Sequence, residues 1–305
     1  MSYTVPPSVD PGIKAATEAL KSVIVANYNN LAQAMISRAI SGAGVTPKVG
    51  IGPLVQLTER LIIPTTQKSE GGWVDDPKDS GGPTMRGVIL STLRGGFNDV
   101  FINTGVRQVA TAAKAFNAKY GQWKTDLSVG RQFLYTLCSE HKIGALFIFQ
   151  FMCNKGARYP IAIMSEDPWL GYFFLECVWG TGPGVYGSKY ANFDGVLKQY
   201  GWNGKSFTKH ICSLGDKTPE VAIKMFQARL QHILRISSSG KNTKFRNGWL
   251  NRLIRNKDSN LMMLVKFNEL FNLNSKGHFK FTAQELQHLK RKGEIYKSLS
   301  IDIPT

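Results

Sequence analysis

The sequence predicts a mainly α fold with one small β element, an α+β arrangement in which helices carry most of the core. Three observations predict it. Apolar residues recur at helical spacing along most of the chain. One segment, Ser69–Gly87, breaks that pattern with a concentration of Gly, Pro and Asp and reads as a compact loop with a short hairpin. The chain also has 305 residues, 43% of them hydrophobic, which suits one large core or two modest ones.

Taken in order, residues 11–40 read as one helix, with Pro11 in its first turn and Ala, Leu, Ile and Val repeating from Ile13 to Ile40. Ser41–Pro53, with four glycines and two prolines, reads as a linker. A second helix is expected from Leu54 to about Lys68, delivering the chain into the Gly/Asp-rich segment. Beyond it, helices are expected at Val106–Ala118, Val129–His141, Ile143–Met152, Asp167–Val178, Phe193–Tyr200 and Pro219–Ser237. Thr218-Pro219-Glu220 supplies the last of these with a cap, a first-turn proline and an acid at the positive end of the dipole. Shorter helices are expected near Asn247–Arg255, Asn260–Phe271 and Ala283–Leu299. There is no internal repeat and no long low-complexity tract.

Composition narrows the function classes. No apolar run reaches the ~18–20 residues of a membrane span; the longest, Gly144–Met152, reads as a buried helix. The opening MSYTVPPSVDPG lacks the basic and apolar regions of a secretory signal. Cys138, Cys153, Cys177 and Cys212 are far apart and read as buried free thiols rather than metal ligands or a disulfide framework. His141, His210, His232, His278 and His288 show no metal-ligand spacing, so neither metal nor cofactor is expected. The net charge is +17, and residues 201–305 hold 19 Lys+Arg against 7 Asp+Glu, a surplus of twelve in the last third. Such a field favours anionic polymers: nucleic acid, lipopolysaccharide, teichoic acid or the carboxylates of peptidoglycan. A nucleic-acid partner rests on charge alone, with no recognised motif beside it, and is not expected.

Against that basic background, Glu70, Asp75, Asp76 and Asp79 fall within ten residues, flanked by Gly71, Gly72, Gly81 and Gly82. An acidic loop of this kind is ordinarily a solvated turn. Here, however, Glu70 stands where a helix is expected to end, beside two glycines and Trp73. A carboxyl partly desolvated in such a place has its pKa raised and stays protonated near neutrality. Glycosidic cleavage needs one protonated carboxyl for the leaving oxygen and a second, ionised one for the anomeric carbon or a water. Glycines beside the acid let a bulky sugar approach the backbone.

The segment EGGWVDDPKDSGGPTMRGV resembles the signature of glycoside hydrolase family 108, EGG-aromatic-V-N-D-P-x-D-x-G-G-x-T-x-x-G-I. Glu70, Gly71, Gly72, Val74, Asp76, Pro77, Asp79, Gly81, Gly82, Thr84 and Gly87 match; Asp75 replaces the usual Asn, and Met85 stands at a usually polar position. The resemblance implies a lysozyme-like fold with its small β-hairpin at the active site. It also implies hydrolysis of the bond between N-acetylmuramic acid and N-acetylglucosamine, with Glu70 as general acid. By the similar Glu/Asp/Thr spacing of phage lysozymes, Asp79 is the expected second carboxylate and Thr84 the expected orienter of water. Gly71, Gly72, Trp73, Asp76 and Arg86 are the expected substrate-binding residues.

Two later blocks are also similar to the family. In Phe173–Val185, Phe174, Gly182, Pro183 and Gly184 match the opening of its peptidoglycan-binding-like helical module, with Glu176 for Asp and Gly180 for Asn. In Ala228–Arg255, Phe245, Gly248, Trp249, Asn251 and Arg252 match that module's end, though Trp249 on an amphipathic stretch reads first as core. The expected organisation is a helical extension and linker at 1–50 and a lysozyme-like muramidase domain at 51–160. A peptidoglycan-binding-like helical module follows at 161–256 and a basic helical extension at 257–305. Two readings stand for the first 50 residues: docking onto a larger assembly, or packing on the chain's own core. The apolar stripe Leu20, Val23, Ile24, Tyr28, Leu31 and Met35 needs a partner surface in either case.

The resemblance thus implies a phage peptidoglycan hydrolase, either tail- or virion-associated for wall penetration or an endolysin for host lysis. Its expected partners are peptidoglycan and, in the first case, tail or other virion proteins, with no membrane span. It would sit in the virion or reach the host cell and periplasm after release. The alternative class is a structural virion protein that retains a muramidase fold.

Overall fold

The computed structural model describes residues 4–59, 72–77, 82–156, 158–166, 171, 193–214, 217 and 221. Its backbone divides into two units, Met1–Arg38 with Ile51–Cys153, and Ala39–Gly50 with Asn154–Thr305. The described part is mainly helical, with one small antiparallel sheet, as the periodicity predicts.

In the first unit, Asp10 starts helix α1 (Pro11–Ala26): its carboxylate accepts from the backbone N–H groups of Gly12 and Ile13 at 2.8 and 3.0 Å. The single helix expected over residues 11–40 is two. Asn27, at φ −109° and ψ 15°, turns its side-chain amide back onto the Val23 carbonyl at 2.9 Å, and α2 (Tyr28–Ala43) starts afresh after it. Asparagine favours such local side-chain bonds over a helix interior, and that bond separates the two helices. Helix α3 (Ile51–Leu57) begins three residues before the expected Leu54.

The sheet runs β1 (Trp73–Val74), β2 (Thr84–Met85), β3 (Val88–Ile89), antiparallel in that order. Trp73 pairs with Met85 and Val74 with Thr84; Thr84 pairs with Ile89 and Met85 with Val88. Arg86 and Gly87 form the two-residue turn between β2 and β3, both at positive φ (49° and 80°), the signature of a type I′ hairpin. The small β element expected in Ser69–Gly87 is present as the β1–β2 pair, and the tight hairpin runs past Gly87 into β3.

Four longer helices follow: α4 (Leu90–Phe101), α5 (Arg107–Tyr120), α6 (Leu127–Cys138) and α7 (His141–Met152), with a 3-10 turn at Gly121–Lys124 between α5 and α6. Their core is aromatic. Phe97 lies 5.1 Å from both Phe101 and Trp123 and 6.0 Å from Phe133, which stacks on Phe116 at 4.5 Å. Each such ring contributes ~1.5–3 kcal/mol by burial and more where the pair geometry is favourable. The Trp123 indole N–H is satisfied by the Asn117 side-chain carbonyl at 3.0 Å. Helix α7 is buried almost all round, from Ile143 to Phe149, as its apolar run predicts.

Helix α1 lies against α5, α6 and α7 of this same unit. Ile13, Leu20 and Ile24 are buried there, and the buried Thr17 hydroxyl is satisfied by the Ile13 carbonyl at 2.7 Å. The Asp10 N–H donates to the Gln132 side chain at 2.9 Å, and the Tyr120 hydroxyl donates to the Gly12 carbonyl at 3.3 Å. Within α2, Tyr28 packs edge-on against Phe149. Of the two readings of the N-terminal stripe, the structure supplies the chain's own helices as the surface that covers α1.

In the second unit, α8 (Pro160–Glu166) is bound by the 39–50 segment. The Lys48 and Val49 N–H groups both donate to the Ser165 carbonyl, at 3.0 and 2.9 Å, and Lys48 pairs with Glu166 at 2.9 Å. Helices α9 (Phe193–Gln199) and α10 (Phe207–Ser213) follow. Arg158 joins them: its guanidinium pairs with Asp194 at 3.2 Å and lies over the rings of Trp202 and Phe207 at 5.2 and 4.5 Å. The helices expected at Asp167–Val178, Pro219–Ser237, Asn247–Arg255, Asn260–Phe271 and Ala283–Leu299 lie outside the described residues, apart from Gly171 and Val221.

Candidate functional site

Among the expected site residues, Glu70, Gly71 and Asp79 lie outside the described residues, while Gly72, Trp73, Asp76, Thr84 and Arg86 are placed on or beside the sheet. The strands put Trp73, Asp75 and Asp76 along β1 and its exit, next to Thr84 on β2. The Thr84 hydroxyl donates to the Gly82 carbonyl at 3.1 Å, where Gly82 takes a φ of +71°. Asp76 is half-buried, and a Cβ at Gly72 would meet nothing within 4 Å.

Trp73 and Arg86 are held by the protein itself. Trp73 is only 6% exposed; its indole N–H donates to the Val5 carbonyl at 3.0 Å and its ring meets Tyr135 edge-on at 5.6 Å. The Arg86 Nε donates to the Ser139 carbonyl at 3.2 Å. In the same region His141 is held below the usual histidine range by burial and by the Arg86 charge, against an opposing pull from Glu140, so its ring is neutral at pH 7.

One helix organises this arrangement. Arg131, Tyr135 and Ser139 stand four residues apart along α6 and its C-cap, so they share one face. Each touches the sheet region: Arg131 binds Asp75, Tyr135 packs on Trp73, and Ser139 accepts from Arg86. The Asp75 contact has two points, Nε to Oδ2 at 2.9 Å and Nη2 to Oδ1 at 3.2 Å. Sequence reasoning missed Arg131 and Tyr135. The signal was a polar stripe at four-residue spacing on a helix whose other face is apolar, but nothing in it says which loop the stripe faces.

Among the described residues, no group of three or more His, Cys, Asp and Glu side chains is placed to hold a metal ion. Nor does any described helix have the length and apolarity to cross a membrane. Cys138 and Cys153 are free thiols, and Cys177 lies outside the described residues. Burial pushes the Cys138 and Cys153 thiols well above their usual range, which leaves them unreactive.

Comparison with known families places residues 63–124, about a fifth of the chain, on the model described as Glycosyl hydrolase 108. That span takes in the acidic loop, the sheet, α4 and α5, and it ends before the blocks at Phe173–Val185 and Ala228–Arg255. Searches of curated proteins and of solved structures find no match.

Proposed function

We propose, from the match of residues 63–124 to the glycosyl hydrolase 108 family, that this chain is a phage-type peptidoglycan hydrolase that cuts the β-1,4 bond between N-acetylmuramic acid and N-acetylglucosamine. The observation that carries the reading is the family match over the segment containing Glu70, Asp79 and Thr84.

In this reading Glu70 gives its proton to the glycosidic oxygen as the bond to the anomeric carbon breaks. Asp79, ionised, stabilises the positive charge that develops on the sugar ring or activates the water that ends the reaction. Thr84 orients that water. Gly71 and Gly72 give the glycan access to the backbone, and Asp76 and Arg86 supply polar contacts to it. Trp73, already bonded to Val5 and packed on Tyr135, contributes by fixing β1 beneath the sugar. Position matters because catalytic groups must be held to within about an ångström of their productive geometry.

The test is digestion of purified peptidoglycan followed by mass spectrometry of the released ends. New reducing N-acetylmuramic acid ends are expected. Reducing N-acetylglucosamine ends, or cleavage only in the stem peptides, would overturn the bond assignment.

A further inference from the structure

The sequence nominates Trp73 for contact with the sugar, but the fold uses that side chain elsewhere. Its ring is buried, and its one polar group, the indole N–H, is bonded to the Val5 carbonyl at 3.0 Å. The aromatic that stays accessible beside it is Tyr135. The two rings meet edge-on at 5.6 Å, and Tyr135 is only half-buried, so part of its side chain is open to solvent.

Tyr135 stands in the middle of the candidate site. Helix α6 lies against β2, the strand that carries Thr84. On the same helix face, one turn before Tyr135, Arg131 grips Asp75, the neighbour of Asp76; one turn after it, the Ser139 carbonyl accepts from Arg86. The polar groups around Tyr135 are already engaged by protein. The Arg131 guanidinium holds Asp75 at 2.9 and 3.2 Å, the Gln132 side-chain oxygen accepts from the Asp10 N–H at 2.9 Å, and the Ser139 hydroxyl donates to the Thr136 carbonyl at 2.8 Å. The Tyr135 hydroxyl makes no hydrogen bond to any described residue.

That combination suits a glycan. A tyrosine ring offers an apolar surface to the C–H face of a pyranose, and its hydroxyl can donate to or accept from a sugar hydroxyl or an N-acetyl carbonyl. The contact with Trp73 fixes the ring before the sugar arrives, which lowers the entropy lost on binding.

We propose that Tyr135 is a glycan-contacting residue of the hydrolase, its ring packed on a sugar beside β1 and its hydroxyl bonded to a substituent of that sugar. The proposal rests on the hydrolase reading and extends it to a residue outside the family match at 63–124.

The experiment is a calorimetric titration of the full chain, carrying Glu70→Gln to prevent cleavage, with a tetrasaccharide of alternating N-acetylglucosamine and N-acetylmuramic acid. Tyr135→Phe keeps the ring and its contact with Trp73 and removes only the hydroxyl. It should weaken tetrasaccharide binding about two- to tenfold, the effect of losing one hydrogen bond between neutral groups, at an unchanged melting temperature. With Glu70 intact, the same change should raise KM on purified peptidoglycan by a similar factor and leave kcat within about twofold. Tyr135→Leu, which also removes the ring, should weaken binding further. No tetrasaccharide binding at all, or unaltered affinity and KM in Tyr135→Phe, would overturn the proposal. An affinity loss matched by a fall in melting temperature would reduce Tyr135 to support for Trp73, and a fall in kcat at constant KM would also exclude the binding role. If the native chain binds the tetrasaccharide but does not cleave glycan, the hydrolase reading falls while the Tyr135→Phe titration still decides the contact.

Discussion

The indole N–H of Trp73 donates to the backbone carbonyl of Val5 at 3.0 Å, across 68 positions of sequence. This bond, with the burial of α1 on α5, α6 and α7, makes the N-terminal segment part of the support for β1. Removal of residues 1–50 should therefore strip Ile13, Leu20 and Ile24 from the core. At ~1.5–3 kcal/mol per side chain, that loss rivals the ~5–15 kcal/mol that stabilises a whole domain. The truncated chain is expected to aggregate or to lose its cooperative melt. A soluble truncation melting within a few degrees of the full chain would show that α1 is dispensable and would restore the docking reading.

Arg131 is expected to position rather than react. Its ion pair with Asp75 is partly exposed, and pairs of that kind contribute only ~0–1 kcal/mol to stability. Yet Asp75 lies between Glu70 and Asp79 in the acidic loop, and it replaces the Asn usual in the resembling signature. Arg131→Gln should lower kcat about tenfold with little change in KM and a melting temperature within about 2 °C of wild type. Arg131→Lys should recover part of the loss, and Asp75→Asn should be milder than Arg131→Gln because an amide still accepts one hydrogen bond. A fall in stability that matches the fall in activity would reduce the pair to a structural role.

Glu70→Gln is isosteric and removes only the transferable proton. Turnover on purified peptidoglycan should fall by at least ~10²–10⁴, the usual contribution of a positioned general acid, while the melting curve stays in place. Wild-type-like release of muropeptides would move the acid to another residue.

The fold class was legible because burial follows period. The apolar run of α7 is buried on nearly every side, and α5 and α6 fall close to their expected limits. Helix α4 was not legible: Gly95 and Gly96 weaken its propensity, and it forms because Leu93, Phe97, Val100 and Phe101 all reach the core. Gly96 has its own tertiary reason, since the Gln150 side chain occupies the space where its Cβ would lie. The break at Asn27 depends on a side-chain bond that periodicity does not register. For the candidate site, the sequence nominates carboxylates because they crowd into one segment. The residues that contact Trp73, Asp75 and Arg86 beside them, namely Val5, Arg131, Tyr135 and Ser139, come from distant segments, and only tertiary packing names them.

The last expectation concerns a carboxyl away from the loop. Glu59 is hydrogen-bonded to the Tyr28 hydroxyl, and the Lys142 ammonium lies 5.6 Å from the centre of the Tyr28 ring. Burial raises the Glu59 carboxyl above the usual carboxylate range, although the Tyr28 hydrogen bond and the Lys142 charge pull it back. Burial and the Glu59 charge together keep the Tyr28 hydroxyl protonated, so it donates. A group whose folded pKa is raised binds its proton more tightly in the folded chain. Its contribution to stability is therefore full below the unfolded value, ~4.3, and is lost as pH rises through the folded value. Glu59→Gln is uncharged at every pH and still accepts from Tyr28, so it does not incur that loss. Its melting temperature should match wild type near pH 4 and exceed it near pH 7 by about 1–2 °C, a small gap because solvent screens a group only partly buried. The other titrating groups are common to both proteins and cancel in the difference. A gap independent of pH would assign the effect to packing. A gap that turns negative as pH rises would mean that the Lys142 attraction outweighs burial and that the carboxyl is not raised at all.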